Sequence, residues 1–201
     1  MGAFIPTFEA VATLLVVGII GFWMVNRRLV KDNFFSLLSP LALEIALPAL
    51  VFINIIENFN PAEKPGWWKL PVWWLVFTLI SFSVVALGLL LIRKENRSEF
   101  GLTLFYQNGL FIPLAIITGV FGANSEYTID LFFLMIFYPA FFFNTYHLFF
   151  RRESGKLKWS KILHPVFIMT ILAIIVRLTG AHAYIPGFVL SGLHSVGDMA
   201  V

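Results

Sequence analysis

The sequence predicts an all-α membrane protein, and three observations carry that prediction. Of 201 residues, 59% are hydrophobic and 12% charged, with mean hydropathy +0.87. A soluble domain is about half apolar and a quarter charged, so no water-soluble core accommodates this much apolar surface. The apolar residues also fall in runs of about 20, the length a helix needs to cross a bilayer. The basic residues, finally, gather in alternate intervals between those runs. The runs are too long and too continuously apolar for the strands of a lipid-facing barrel.

Six complete spans are expected, at Ile5–Val25, Leu37–Ile56, Pro71–Ile92, Phe100–Phe121, Tyr127–Phe150 and Ile162–Leu178. A seventh apolar run begins near Tyr184 and is cut by the end of the chain. The first run follows a nearly uncharged N-terminus with no clear cleavage site, so it reads as a span rather than a signal peptide. Arg27, Arg28 and Lys31 follow the first span. Arg93, Lys94 and Arg97 follow the third, and Arg151, Arg152, Lys156, Lys158 and Lys161 the fifth. The other loops are acidic or mixed, with Glu57, Glu63, Lys64, Lys69, Glu126 and Asp130. The positive-inside rule then puts the N-terminus outside. Trp67, Trp68, Trp73 and Trp74 form an expected outer aromatic belt, with Trp23 and Trp159 at the inner face. The net charge of +3 is thus a topology signal, and no nucleic-acid partner is expected. Arg177 is expected to snorkel outward from its helix end. The expected partner is the lipid bilayer, at the plasma or inner membrane.

The fourth span holds the chemistry. Asn108 lies eight residues after Phe100, about 12 Å along a helix and close to the midplane of a core about 30 Å thick. Pro113 lacks an N–H, and its ring clashes with the carbonyl of Gly109. Two half-helices are expected, one ending near Gln107 and one starting at Pro113, with non-helical chain between. A plain proline kink is the alternative. A break at this depth needs cover from protein or water. It also aims a positive helix N-terminus at the midplane, as in the anion sites of secondary transporters.

Asn108-Gly-Leu-Phe-Ile-Pro113-Leu114, with Gly119 beyond, resembles the broken fourth helix of the auxin efflux carrier family, which includes the PIN-formed carriers and malonate-type permeases. Leu47-Pro48-Ala49-Leu50-Val51-Phe52 resembles that family's second span, and His164-Pro165 followed by Ile185-Pro186 its sixth and the entry to its seventh. The resemblance implies two inverted five-helix repeats whose fourth and ninth helices break and cross, with an organic anion at the crossing. On that pattern residues 1–152 form the first repeat, and 153–201 the sixth span and the start of the seventh. The chain is then expected to be a truncated N-terminal part, or a half-transporter completed by a second chain or a second copy. Glu44-Ile-Ala-Leu47 and Asp198-Met-Ala-Val201 are an internal match that fits such repeats.

The expected function is a secondary carrier for small organic anions, carboxylates above all, working by alternating access. The substrate residues are Asn108, Gly109, Ile112, Pro113 and Leu114, with Asn54 and Tyr138 on neighbouring spans. Asn54 and Tyr138 also have packing roles open to them. Glu44 and Asp198 are candidates for coupling to H+ or Na+; Glu44 paired with Arg28 or Lys31 at the inner interface is the alternative. Asp130 reads as an outer-interface or helix N-terminal charge. The phenylalanines of Ala140–Phe150 read as lipid-facing. A sodium-coupled bile-acid-type symporter and a seven-helix receptor are the competing functions. No cofactor is expected, and without Cys or H-E-x-x-H spacing no metal site is either. The chain lacks a Walker loop and a G-x-S-x-G elbow, so it does not read as an enzyme.

Overall fold

Three apolar helices are long enough to cross a bilayer in the computed structural model: Phe4–Asn26, Ser36–Asn58 and Lys69–Leu91. The structure describes residues 4–30, 34–106, 108–122, 125–145 and 164–200, and among these it contains helices and turns without strands. The first helix, α1 (Phe4–Asn26), has no buried residue. Its extensive contact is with α6 (Phe111–Phe121). The two come so close that a Cβ on Gly119 would lie 2.7 Å from that of Ala10, so only glycine fits there.

The second span has three parts. Helix α2 (Phe34–Pro40) runs into a π-helical segment, Leu41–Ala46, and then into α3 (Leu47–Asn58). The wide turn has a local cause. Leu47 donates its N–H to Ala42, five residues back, and Pro48 has no N–H to donate at all. Helix α3 is buried without interruption from Leu47 to Ile56. A helix that is apolar all round belongs in the middle of a bundle. Its flanks are α9 (Pro165–Leu178), α10 (Gly187–Gly197) and α7 (Glu126–Leu134). The antiparallel approach of α10 is closest at its end, where a Cβ on Gly197 would lie 2.9 Å from the Leu50 Cα.

Helix α4 (Lys69–Leu91) packs on α5 (Arg97–Phe105) and α7. The fifth span, expected as one helix, is divided. Helix α7 ends at Leu134, and α8 (Tyr138–Thr145) begins after a turn over 135–137. Pro139 explains the division, because it cannot donate to the Met135 carbonyl; Tyr138 N–H reaches that carbonyl instead, at 3.0 Å. Residues 146–150, at the end of the expected span, lie outside the described residues, as do the basic residues from Arg151 to Lys161.

At the end of the bundle near Asn58, Phe59, Trp67 and Phe133 form an aromatic cluster, with Phe59 and Phe133 rings 4.8 Å apart. Trp67, in this cluster, and Trp74, buried against Phe141, are packed residues as well as candidates for an aromatic belt. Arg177 does not snorkel into open space. Its guanidinium Nε donates to the Phe59 carbonyl at 2.5 Å, which anchors the end of α9 to the end of α3. The packing falls into two groups: α2, the π segment and α3 with α9 and α10, and α1 with α4 to α7. They meet along α3 and α7, and α8 reaches α9 of the first group.

Candidate functional site

Helical backbone stops at Phe105 and resumes at Phe111. Tyr106 closes α5 by donating its N–H to Leu102 at 3.0 Å. Gln107 lies outside the described residues. Asn108 then takes φ 51°, a left-handed conformation that asparagine tolerates better than most residues. Its side-chain oxygen accepts the Phe111 N–H at 3.4 Å, so it caps the start of α6 from three residues back.

The second half-helix starts two residues earlier than expected, at Phe111 rather than Pro113. The cause lies in the first turn. The N–H groups there have no intrahelical acceptor in any case, so a proline at the third position loses nothing. Gly109, four residues before it, lies outside the helix.

A cavity of about 270 Å³ opens at the break. Tyr106, Asn108, Leu110 and Phe111 supply one wall, and Tyr138, Pro139 and Phe142 another. Leu43, Leu47 and His164 come from the other packing group and close it. The walls are mostly apolar, and among the described residues they carry no lysine, arginine or carboxylate. Tyr106 OH lies 2.5 Å from Thr145 Oγ1; Thr145 spends its own proton on Phe141 O at 2.6 Å, so Tyr106 is the donor. The Tyr138 hydroxyl faces the Gly109 backbone. His164 is 8% exposed, and its Nδ1 accepts the Val166 N–H at 3.3 Å as the N-cap of α9.

Of the residues expected at the site, Asn108 and Tyr138 meet at this cavity. Gly109 lines a smaller space behind it, against Met135. Ile112 is exposed, Pro113 half-buried and Leu114 buried in the core, and none of the three lines the cavity. Asn54 is buried on α3 and donates to the Leu50 carbonyl of its own helix at 3.1 Å, leaving a buried Oδ1 without a partner among the described residues. Glu44 is exposed on the π segment and lines a second, more open cavity of about 440 Å³ together with Pro48, Pro165 and Leu193. Its alternative partner Lys31 lies outside the described residues. Asp198 is exposed on a last turn, Asp198–Ala200, that packs against the π segment.

Sequence reasoning missed Tyr106, Phe142 and His164 as members of the site. Phe142 was expected in lipid and instead faces the cavity, while Phe141 packs against Trp74 with ring centroids 5.4 Å apart. His164 carried a signal in its His-Pro pair, since proline favours the first position of a helix and the residue before it caps. Nothing local in the sequence says which cavity that cap would face.

The sequence profile of a family described as membrane transport protein matches residues 6–157. No curated protein and no solved structure matches the chain.

Proposed function

The chain belongs to the membrane transport protein family, that of the auxin efflux carriers, and on that premise we propose that it is a secondary carrier that binds a small organic anion at the break between α5 and α6 and moves it by alternating access. One observation carries the reading: the cavity at the break is walled from both packing groups. A ligand held there touches both, so a change in how they meet exposes it to one side or the other. The volume suits a small molecule, at the low end of the few hundred Å³ typical of ligand sites. The start of α6 brings backbone donors and roughly half a positive charge. Asn108 adds its amide. In an apolar setting such fixed dipoles stabilise a carboxylate without a buried lysine.

The orientation we favour has the N-terminus outside, because the basic intervals alternate along the chain. We assign residues 1–152 to one repeat and the remainder to the start of another, a layout that leaves room for a second copy or a second chain as partner.

The test is a thermal-shift series on the purified protein in detergent, with malonate and benzoate as probes, benzyl alcohol as the uncharged control, and each arm run with and without Na+. Carboxylates are expected to stabilise and the alcohol not. Asn108→Ala removes a hydrogen bond to a charged group, worth about 1.5–3 kcal/mol, so affinity falls roughly ten- to a hundredfold. Equal stabilisation by the alcohol, or no loss of affinity in Asn108→Ala, would overturn this placement of the anion.

A further inference from the structure

Two neighbouring residues on each of two elements open to opposite cavities. On the π segment, Leu43 lines the cavity at the break and Glu44 the second cavity. At the start of α9, His164 lines the first and Pro165 the second. One wall therefore carries a histidine on one face and a carboxylate on the other. The Glu44 carboxylate makes no hydrogen bond and no ion pair among the described residues. The wall also holds a backbone acceptor. The helical donor that Leu43's carbonyl would normally use is Leu47 N–H, which goes to Ala42, and the next position along is Pro48.

We propose that His164 and Glu44 form a proton-exchange pair that couples anion binding to uptake of one proton. The proposal rests on the anion reading above and deepens it. Among the described residues, His164 is the side chain lining the cavity at the break that can become a cation by taking a proton. Nδ1 accepts the Val166 N–H at 3.3 Å, which describes a neutral ring with its proton on Nε2. Charging the ring puts a proton on Nδ1 and ends that cap. An anion in the cavity offsets this cost, because an uncompensated charge in an apolar site is expensive and an imidazolium compensates it. Glu44 exchanges protons with water through the wider second cavity: its carboxylate takes one up, and the carboxylic acid hands it to the imidazole. Anion and proton then travel together.

Other titratable groups lie on the elements around this wall, but on different faces or at far ends. His194 on α10 pairs with Glu57 at 2.8 Å, and Arg177 at the far end of α9 is held by Phe59. Asp198 stands on the turn against the π segment and lines neither cavity. The described part of α2 carries no titratable residue.

The experiment mixes the full 201-residue chain with benzoate in weakly buffered detergent and follows proton uptake with a pH dye, beside the thermal shift. The wild type is expected to take up about one proton per benzoate bound, so its affinity falls by up to about tenfold per pH unit as protons become scarce. His164→Gln is expected to bind more weakly, with no uptake and a flat pH dependence. Glu44→Gln should reduce the uptake and its pH slope, and His194→Gln should keep both. Thermal unfolding of each variant checks that it is folded, and the wild-type stoichiometry stands as a test without any variant. Benzoate binding with no proton uptake by the wild type overturns the pair and leaves the anion site standing. Uptake retained in His164→Gln, or lost in His194→Gln, overturns the assignment. If neither benzoate nor malonate binds, both the anion reading and the pair fall.

Discussion

Lys64 Nζ lies 2.8 Å from Asp130 Oδ2 and 3.2 Å from a carboxylate oxygen of Glu126, tying the loop between α3 and α4 to the start of α7. Glu126 stands in the first turn of α7, where negative charge also suits the helix dipole, and Asp130 one turn further on. The Lys64 side chain is 24% exposed and that of Asp130 34%, so water screens the pair and its worth is about 1 kcal/mol. Lys64→Met is expected to lower stability by that amount, read from unfolding midpoints in detergent.

The same contact predicts a pH behaviour. Burial works against the Lys64 ammonium, but hydrogen bonds and attraction from Asp130 and Glu126 together outweigh it and raise its pKa above the ordinary 10.5. A raised pKa in the folded state means stability that is full below 10.5 and lost as pH climbs through the higher folded value. The gap between wild type and Lys64→Met should therefore stay constant from about pH 7 to 9. A gap that closes within that range would show that the lysine is not charged in the folded protein.

Gly197 and Gly192 make a matched pair on α10. A methyl group on Gly197 would meet Leu50 backbone atoms at 2.9 and 3.0 Å, whereas one on Gly192 meets nothing within 4 Å. Backbone cannot rotate out of the way as a side chain can. Gly197→Ala is expected to cost about 1–3 kcal/mol. Gly192→Ala should be neutral or stabilise by a few tenths, to about 1 kcal/mol. Chemical unfolding of both variants decides the matter.

Asn108 holds a left-handed backbone and a cap at once. Asn108→Gly loses the cap but relieves the backbone, while Asn108→Ala loses the cap and keeps a Cβ at positive φ. The alanine variant should be the less stable of the two by about 1 kcal/mol. Equal stabilities would mean that the backbone at 108 relaxes when the side chain is cut.

Pro113→Ala is the sharpest check on how the break is held. With Pro113 already inside the first turn of α6, its replacement adds an N–H whose helical acceptor would be Gly109, outside α6 and next to the turned residue Asn108. The break is expected to survive, with hydrogen exchange across 108–112 unchanged within the variant. Slowed exchange there would mean that α5 and α6 had joined into one helix.

These cases also mark what the sequence made legible. The interruption of the fourth span could be read because Asn-Gly and proline act locally, on their own backbone and the turn beside it. The division of the fifth span had its sign in Pro139, and the π segment had its own in Pro48, four residues after an acid. What could not be read were meetings across the fold. Phe142 and His164 share a cavity with Asn108 because α8 and α9 arrive there from distant parts of the chain. Glu57 and His194 pair across 137 positions for the same reason. Apolar periodicity was no guide either: α4 is apolar on every face, so its pattern does not say which side meets α5 and α7.

Helix α1 gains a role from its narrow seat. Its extensive contact is with α6, closed at Ala10 and Gly119, and none of its residues is buried. Mechanically it is cargo on the half-helix rather than part of the frame. On the carrier reading proposed above, a shift of α6 on anion binding would carry α1 with it. Trp23, at its far end with the Arg27 guanidinium 5.9 Å from its ring, is then a built-in reporter. Its fluorescence should register an event at Asn108 that it never touches.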